Sequence, residues 1–166
     1  MPLETIPYDR DAAVRYAHRW AYGRNPKYYD FEKIGGDCTN FASQCVYAGC
    51  GVMNYTPVYG WYYISAGQRS PAWSGVPYFY NFMTGNGAQG PFGREVGLEE
   101  VQPGDVVQLA TIHPDYHHTP VIVEIRGEPT PESILVAAHS YDTDNRPLSS
   151  YPIRKMRFIH IEGARR

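Results

Sequence analysis

The feature that most constrains this chain is a change of period at Gln102-Pro103-Gly104-Asp105. Before that turn, apolar residues recur at helical spacing; after it, short apolar runs alternate with turn residues. The spacing predicts a first helix over residues 11–22, with Ala13, Val14, Ala17, Trp20 and Ala21 on one face. Asp9 or Asp11 caps its start, and Gly23 followed by Asn25-Pro26 ends it. A second helix is predicted over residues 38–48. Asp37 is its N-cap, with the carboxylate bonding N–H groups one turn in, and Gly49 and Gly51 stop it. Residues 51–73, rich in Gly, Tyr and Pro, read as irregular surface facing a substrate. A third helix is expected over residues 75–83 with Ser74 as its cap, then a glycine-rich loop over 85–93 and a helical turn over 98–101. Beyond the turn, strands are expected over residues 106–109, 119–125, 134–139 and 154–161. Helices first and an antiparallel meander second is an α+β pattern, and nothing divides residues 1–166 into more than one domain.

Within that frame, the segment GGDCTNFASQC carries the chemistry. Cys38 opens the second helix, where unpaired backbone N–H groups and the positive end of the helix dipole converge. A thiol so placed is expected to have a lowered pKa and to act as a thiolate nucleophile. Phe41, Ala42, Cys45 and Ala48 continue its face. Cys45 and Cys50 read as small buried hydrophobes, and three cysteines are too few for a disulfide scaffold.

Composition narrows the remaining classes. A net charge of -2 and the lack of any basic stripe give no footprint for nucleic acid. No apolar run reaches the length of a membrane span. Residues 1–13 hold no apolar stretch of a secretory signal, which leaves the compartment open between the cytoplasm and export through a targeting segment outside this sequence. Aromatic residues make up 14% of the chain, 15 of them tyrosines. Flat amphipathic rings suit a groove for sugar or peptide, with Trp61, Tyr62, Tyr63 and Trp73 as candidates. His113 and His117 have a metal-like spacing only on a helix, which Pro114 opposes; no metal or cofactor is expected.

A cysteine nucleophile needs a base that takes its proton and returns it to the leaving amine. His118 precedes one expected strand and His139 ends the next. A hairpin turning between Glu128 and Pro129 sets His118 opposite His139 and Val123 opposite Ile134. In that register His139 orients His118, the logic of a triad. Asp142 and Asn145, in the polar turn that follows, are the alternatives for the third member.

These residues resemble the nucleophile segment of the bacterial putative amidase domain family, a relative of the CHAP and NlpC-type cell-wall cysteine peptidases. The likeness extends over YDRDAAVRYAHRWA, NPKYYDFEKIGGDCTNF, GWYY, SPAWSGVPYFYNF, LEEVQPGDVVQL and AHSYDTDNRPLSSYPI. It implies a papain-like α+β fold with the cysteine helix packed on an antiparallel sheet. It implies Cys38 as nucleophile, His118 as base and His139 as the third polar residue, with His117 a neighbour. The wider superfamily places an oxyanion-assisting tyrosine upstream of the cysteine, and Tyr28 and Tyr29 stand there; Asp37 is a further orienting candidate. The implied activity is hydrolysis of amide bonds in peptidoglycan or a peptide. Two alternatives use the same residues: a non-catalytic module that binds glycan or peptide through its aromatic loops, and an acyltransferase on the same triad.

Overall fold

The computed structural model describes residues 2–166 of the chain. Helix α1 spans Arg10–Trp20, and Asp9 caps it by accepting from the Ala12 N–H at 3.0 Å. Helix α2 spans Cys38–Cys50, two residues longer than expected, and closes at Gly51, whose N–H donates to the Tyr47 carbonyl. Gly49 lies inside it, where a Cβ would meet the Tyr8 ring at 2.4 Å, so this glycine serves close packing rather than a stop. The third helix of the sequence reading is two: α3, Pro71–Ser74, and α4, Val76–Gly85. Gly75, not Ser74, is the residue before α4; the Ser74 hydroxyl accepts from Arg69 instead.

Nine strands occur among the described residues: β1 Thr5–Ile6, β2 Tyr63–Ser65, β3 Gln68–Arg69, β4 Gly90–Val96, β5 Val106–Ala110, β6 Val121–Ile125, β7 Ile134–Ala138, β8 Thr143–Pro147 and β9 Lys155–Arg165. β2 and β3 pair with each other. The rest form an antiparallel seven-stranded sheet in the order β1-β9-β5-β6-β7-β8, with β4 also on β9. The long β9 pairs with β4 along one edge, and with β5 and then β1 along the other. Strand β4 overlaps the loop that the sequence predicts over 85–93, where glycine and proline read as breakers.

The α+β class expected from the sequence is what is observed, and the cysteine helix does pack on the sheet. Phe41, Ala42 and Cys45 of α2, Ala17 of α1 and Ala21 at the end of α1 meet Val121, Val123, Leu135 and Ala137 of β6 and β7. Burying such side chains contributes about 25 cal/mol per Å² of apolar area removed from water, which holds α2 firmly in place. On the other face of the sheet a second cluster joins Leu109, Ile122, Val136, Leu148 and Phe158. β6 and β7 are thus covered on both sides, as their uninterrupted apolar runs require.

Candidate active site

Cys38 is positioned by the loop before it. Gly35 and Gly36 both have positive φ (87° and 99°), which their lack of a side chain permits at little cost. They turn the chain so that Asp37 enters the core. Asp37 is fully buried and does not cap α2 with its carboxylate, contrary to the sequence reading. Oδ1 instead accepts from the Phe31 N–H (2.9 Å) and the Asn40 amide (2.9 Å), and Oδ2 meets His139 Nδ1 at 2.5 Å. The Asp37 N–H donates to the Ser140 hydroxyl (3.2 Å), tying this loop to the turn after β7.

His139 therefore does not orient His118. Its Nε2 meets the Trp20 carbonyl at 2.7 Å, so both ring nitrogens are engaged, and the ring stacks on Phe41 at 4.1 Å. The expected hairpin register fails for a physical reason. Val121 pairs with Ala137 and Ile122 with Val136, a bulge follows, and Glu124 and Ile125 pair with Leu135 and Ile134. Continued back along the strand, that register is one residue away from facing His118 with His139, and one residue reverses the face. His118 instead lies against β5, bridged to Leu109.

Cys38 and His118 nevertheless line one cavity of about 450 Å³, with Gly35, Gly36, Thr111, His117, Ser140, Tyr141, Arg146, Tyr151 and Pro152. Cys38 Sγ lies 3.7 Å from the Thr39 hydroxyl and donates to the His117 carbonyl at 3.8 Å. Thr39 also bonds Thr119 at 2.9 Å, which locks the first turn of α2 to the segment carrying His118. The His118 side chain makes no hydrogen bond among the described residues, and its ring packs near Tyr151 at 5.6 Å. His117 is engaged elsewhere: its Nε2 lies 2.8 Å from the Thr111 hydroxyl.

Burial dominates the protonation of both groups. It raises the Cys38 thiol above its ordinary value; hydrogen bonds from Thr39 and the Thr119 backbone oppose this, and the Asp37 carboxylate adds to it. The lowered thiol pKa expected from the helix end is thus overturned by desolvation. His118 is pushed down to about 4, first by burial and then by His117 and Arg146. At neutral pH the two groups rest as thiol and neutral imidazole, not as an ion pair.

The other residues singled out from the sequence lie elsewhere. Trp61 and Trp73 are fully buried core side chains, their indole N–H groups donating to Ser43 and Asn40. Tyr62 and Tyr63 are half-buried against the same cluster, so none of the four lines the Cys38 cavity. Tyr28 is half-buried between Tyr63 and Trp73, and Tyr29 is an exposed side chain whose N–H bonds Tyr63. Asp142 pairs with Arg24, and Asn145 is exposed with a positive φ of 52°; neither contacts His118. Cys45 and Cys50 are buried free thiols, and burial pushes Cys50 up to about 11. No group of three candidate metal ligands occurs among the described residues.

Arg146 and Tyr151 were missed as cavity residues. No periodicity marks them, since it is the fold-back of β8 and the turn after it that brings them to Cys38.

The model of the putative amidase domain family matches residues 7–161. The chain is also 32% identical over 142 residues to "Uncharacterized protein YhbB" of Bacillus subtilis (strain 168), covering 84% of the chain but 43% of that protein. It thus spans less than half the length of that relative. No solved structure matches the chain.

Proposed function

Because the chain belongs to the putative amidase domain family, we propose that it is a cysteine amidase in which Cys38 attacks and His118 moves the proton. One observation carries the reading: a thiol at the first residue of a buried helix and an imidazole without a hydrogen-bond partner among the described residues share one cavity. A neutral imidazole is the form that can accept a proton. As Sγ attacks the amide carbonyl, His118 takes the thiol proton and then gives it to the leaving amine. Water, activated by the same imidazole, hydrolyses the thioester. The free N–H groups at the start of α2 are the natural donors to the oxyanion.

In this reading the catalytic pair is Cys38 and His118. Asp37, held by His139, is a positioning residue that fixes the turn into α2. The substrate we assign is an amide of cell-wall peptidoglycan, on the likeness of the nucleophile segment to those of cell-wall cysteine peptidases.

The test is incubation with purified peptidoglycan and mass spectrometry of the released fragments. The native chain should release peptides, Cys38→Ala none, and His118→Ala about 100-fold fewer per unit time. Cys45→Ala, which changes a residue outside the cavity, should retain cleavage. Full activity in Cys38→Ala would overturn the reading.

A further inference from the structure

The Cys38 cavity is lined by one fixed charge, and it is positive. Arg146 is the cation, and no aspartate or glutamate lines the space. This is not for lack of acids nearby in sequence. Asp142 is taken by Arg24 at 2.9 and 3.1 Å, and Asp144 by His18 at 2.8 Å. Arg146 itself makes no ion pair among the described residues. Its Nε donates to the Ser150 hydroxyl at 2.7 Å and Nη2 to the Ser150 carbonyl at 3.3 Å. Its guanidinium also lies over the Tyr151 ring, 3.6 Å from the centroid. Three contacts therefore hold the fork in one orientation, and Nη1 makes no hydrogen bond to another described residue.

Tyr151 adds a second unused donor. Its hydroxyl is buried and has no hydrogen-bond partner among the described residues. The guanidinium sits over the ring face and can only donate toward the phenol oxygen, where its pull opposes the rise in the phenol's pKa, so the hydroxyl's own proton is left without an acceptor. A buried phenol without a partner costs about 1–3 kcal/mol, so such a group calls for an explanation. Both features lie on the wall of the cavity that holds Cys38 and His118.

We propose that Arg146 and Tyr151 form a carboxylate subsite beside Cys38, so that the amide cleaved carries a free carboxylate close to the scissile bond. The guanidinium supplies charge and a planar pair of donors, and the phenol supplies a third hydrogen bond. Substrates with a neutral amide in that place leave the half-buried cation unmatched and bind less well. The proposal rests on Cys38 being the reacting group. It adds the class of acceptable substrate: an acidic amide, not a neutral one.

Two alkylating agents of nearly equal size test this without a known substrate. Iodoacetate carries a carboxylate next to the carbon that sulfur attacks; iodoacetamide carries a neutral amide. Sulfur displaces iodide in both. Rates at Cys38 are read by peptide mass spectrometry, with glutathione as the free reference thiol. The ratio of the iodoacetate rate to the iodoacetamide rate at Cys38 should exceed that of glutathione by about 10-fold or more, and should shrink with added salt. Arg146→Gln should return the ratio to the reference value while Cys38 remains open to iodoacetamide. Arg146→Lys should keep part of the excess. A native ratio equal to that of glutathione, or an excess that survives Arg146→Gln, overturns the subsite. The amidase reading fails separately: charge-selective alkylation in a protein that cleaves no amide keeps the subsite and removes the hydrolase. Amide cleavage without charge selectivity does the reverse.

Discussion

His118 is held neutral in a cavity where burial, His117 and Arg146 all disfavour its charged form. The consequence for stability has a definite sign. Its folded pKa of about 4 lies below the ordinary value near 6.5, so between those limits the unfolded chain binds more protons than the folded one. Stability from this residue is fully present above pH 6.5 and is lost as pH falls toward 4. The whole span corresponds to about 3 kcal/mol. Urea midpoints measured at pH 7.5 and pH 4.5 isolate it when the native chain is compared with His118→Asn, which removes the titration. The native chain should lose about 2–3 kcal/mol more than the variant over that interval. Parallel losses would show that His118 is solvated. The same residue also shows how local chemistry escaped the sequence. His118 and Cys38 were identifiable because each sits next to a strong local signal, a buried strand and the start of an apolar-periodic helix. Their protonation was not, because it depends on the depth of burial, which no spacing records.

At the scale of elements, signals carried by apolar periodicity were readable. α1, α2, β5, β6, β7 and β9 lie where the pattern put them, to within a few residues. What failed were elements built on glycine and proline. Residues 85–93 read as a loop, yet from Gly90 the chain forms β4, which pairs with β9 over seven residues. Its glycine has a positional purpose. The register shifts between Phe92 and Gly93, and a Cβ at Gly93 would come within 2.1 Å of the His160 carbonyl oxygen. Glycine in a strand marks such a bulge and close approach. Gly93→Ala should therefore force β4 away from β9 and destabilise the fold by about 1–3 kcal/mol. Gly67→Ala is the control, because a Cβ there meets nothing within 4 Å and should shift stability by less than about 0.5 kcal/mol. Thermal unfolding of both variants checks this, and equal melting temperatures would mean that β4 can slide without cost. The bulge in β6 belongs to the same lesson. Ile125 rather than Val123 pairs with Ile134, a two-residue slip of which the extra residue at Val123 takes back only one, and hairpin arithmetic has no means of detecting either.

Across the whole molecule, the site depends on parts far apart in sequence being fixed to one another. Arg146 and Tyr151 reach Cys38 only because the segment after β7 folds back over the sheet, which is why they were invisible as cavity residues beforehand. A second long-range junction sits away from the cavity, at Asp105. Its carboxylate is fully buried and accepts from Arg10 of α1 at 2.7 Å, the Ile161 N–H of β9 at 3.0 Å and the Gln102 N–H at 2.9 Å, with His160 Nδ1 at 2.8 Å. Arg10 also donates to the Pro103 and Ile161 carbonyls, and the Tyr8 hydroxyl to that of Gly104. One carboxylate thus joins the first helix, the turn before β5 and the last strand. The sequence marked Gly104-Asp105 as a turn; the charge on Asp105 does more, because four groups converge on it. Asp105→Ala leaves Arg10 and a buried backbone N–H without their partner. The expected cost is about 3 kcal/mol, at the low end for a broken buried pair because Arg10 remains partly exposed. That loss leaves most molecules folded in a domain of ordinary stability. None of these residues lines the cavity, so the folded variant should alkylate at Cys38 with iodoacetamide at the native rate while its urea midpoint falls. A change in both together would mean that the Asp105 junction sets the geometry of the cavity as well as the stability of the fold.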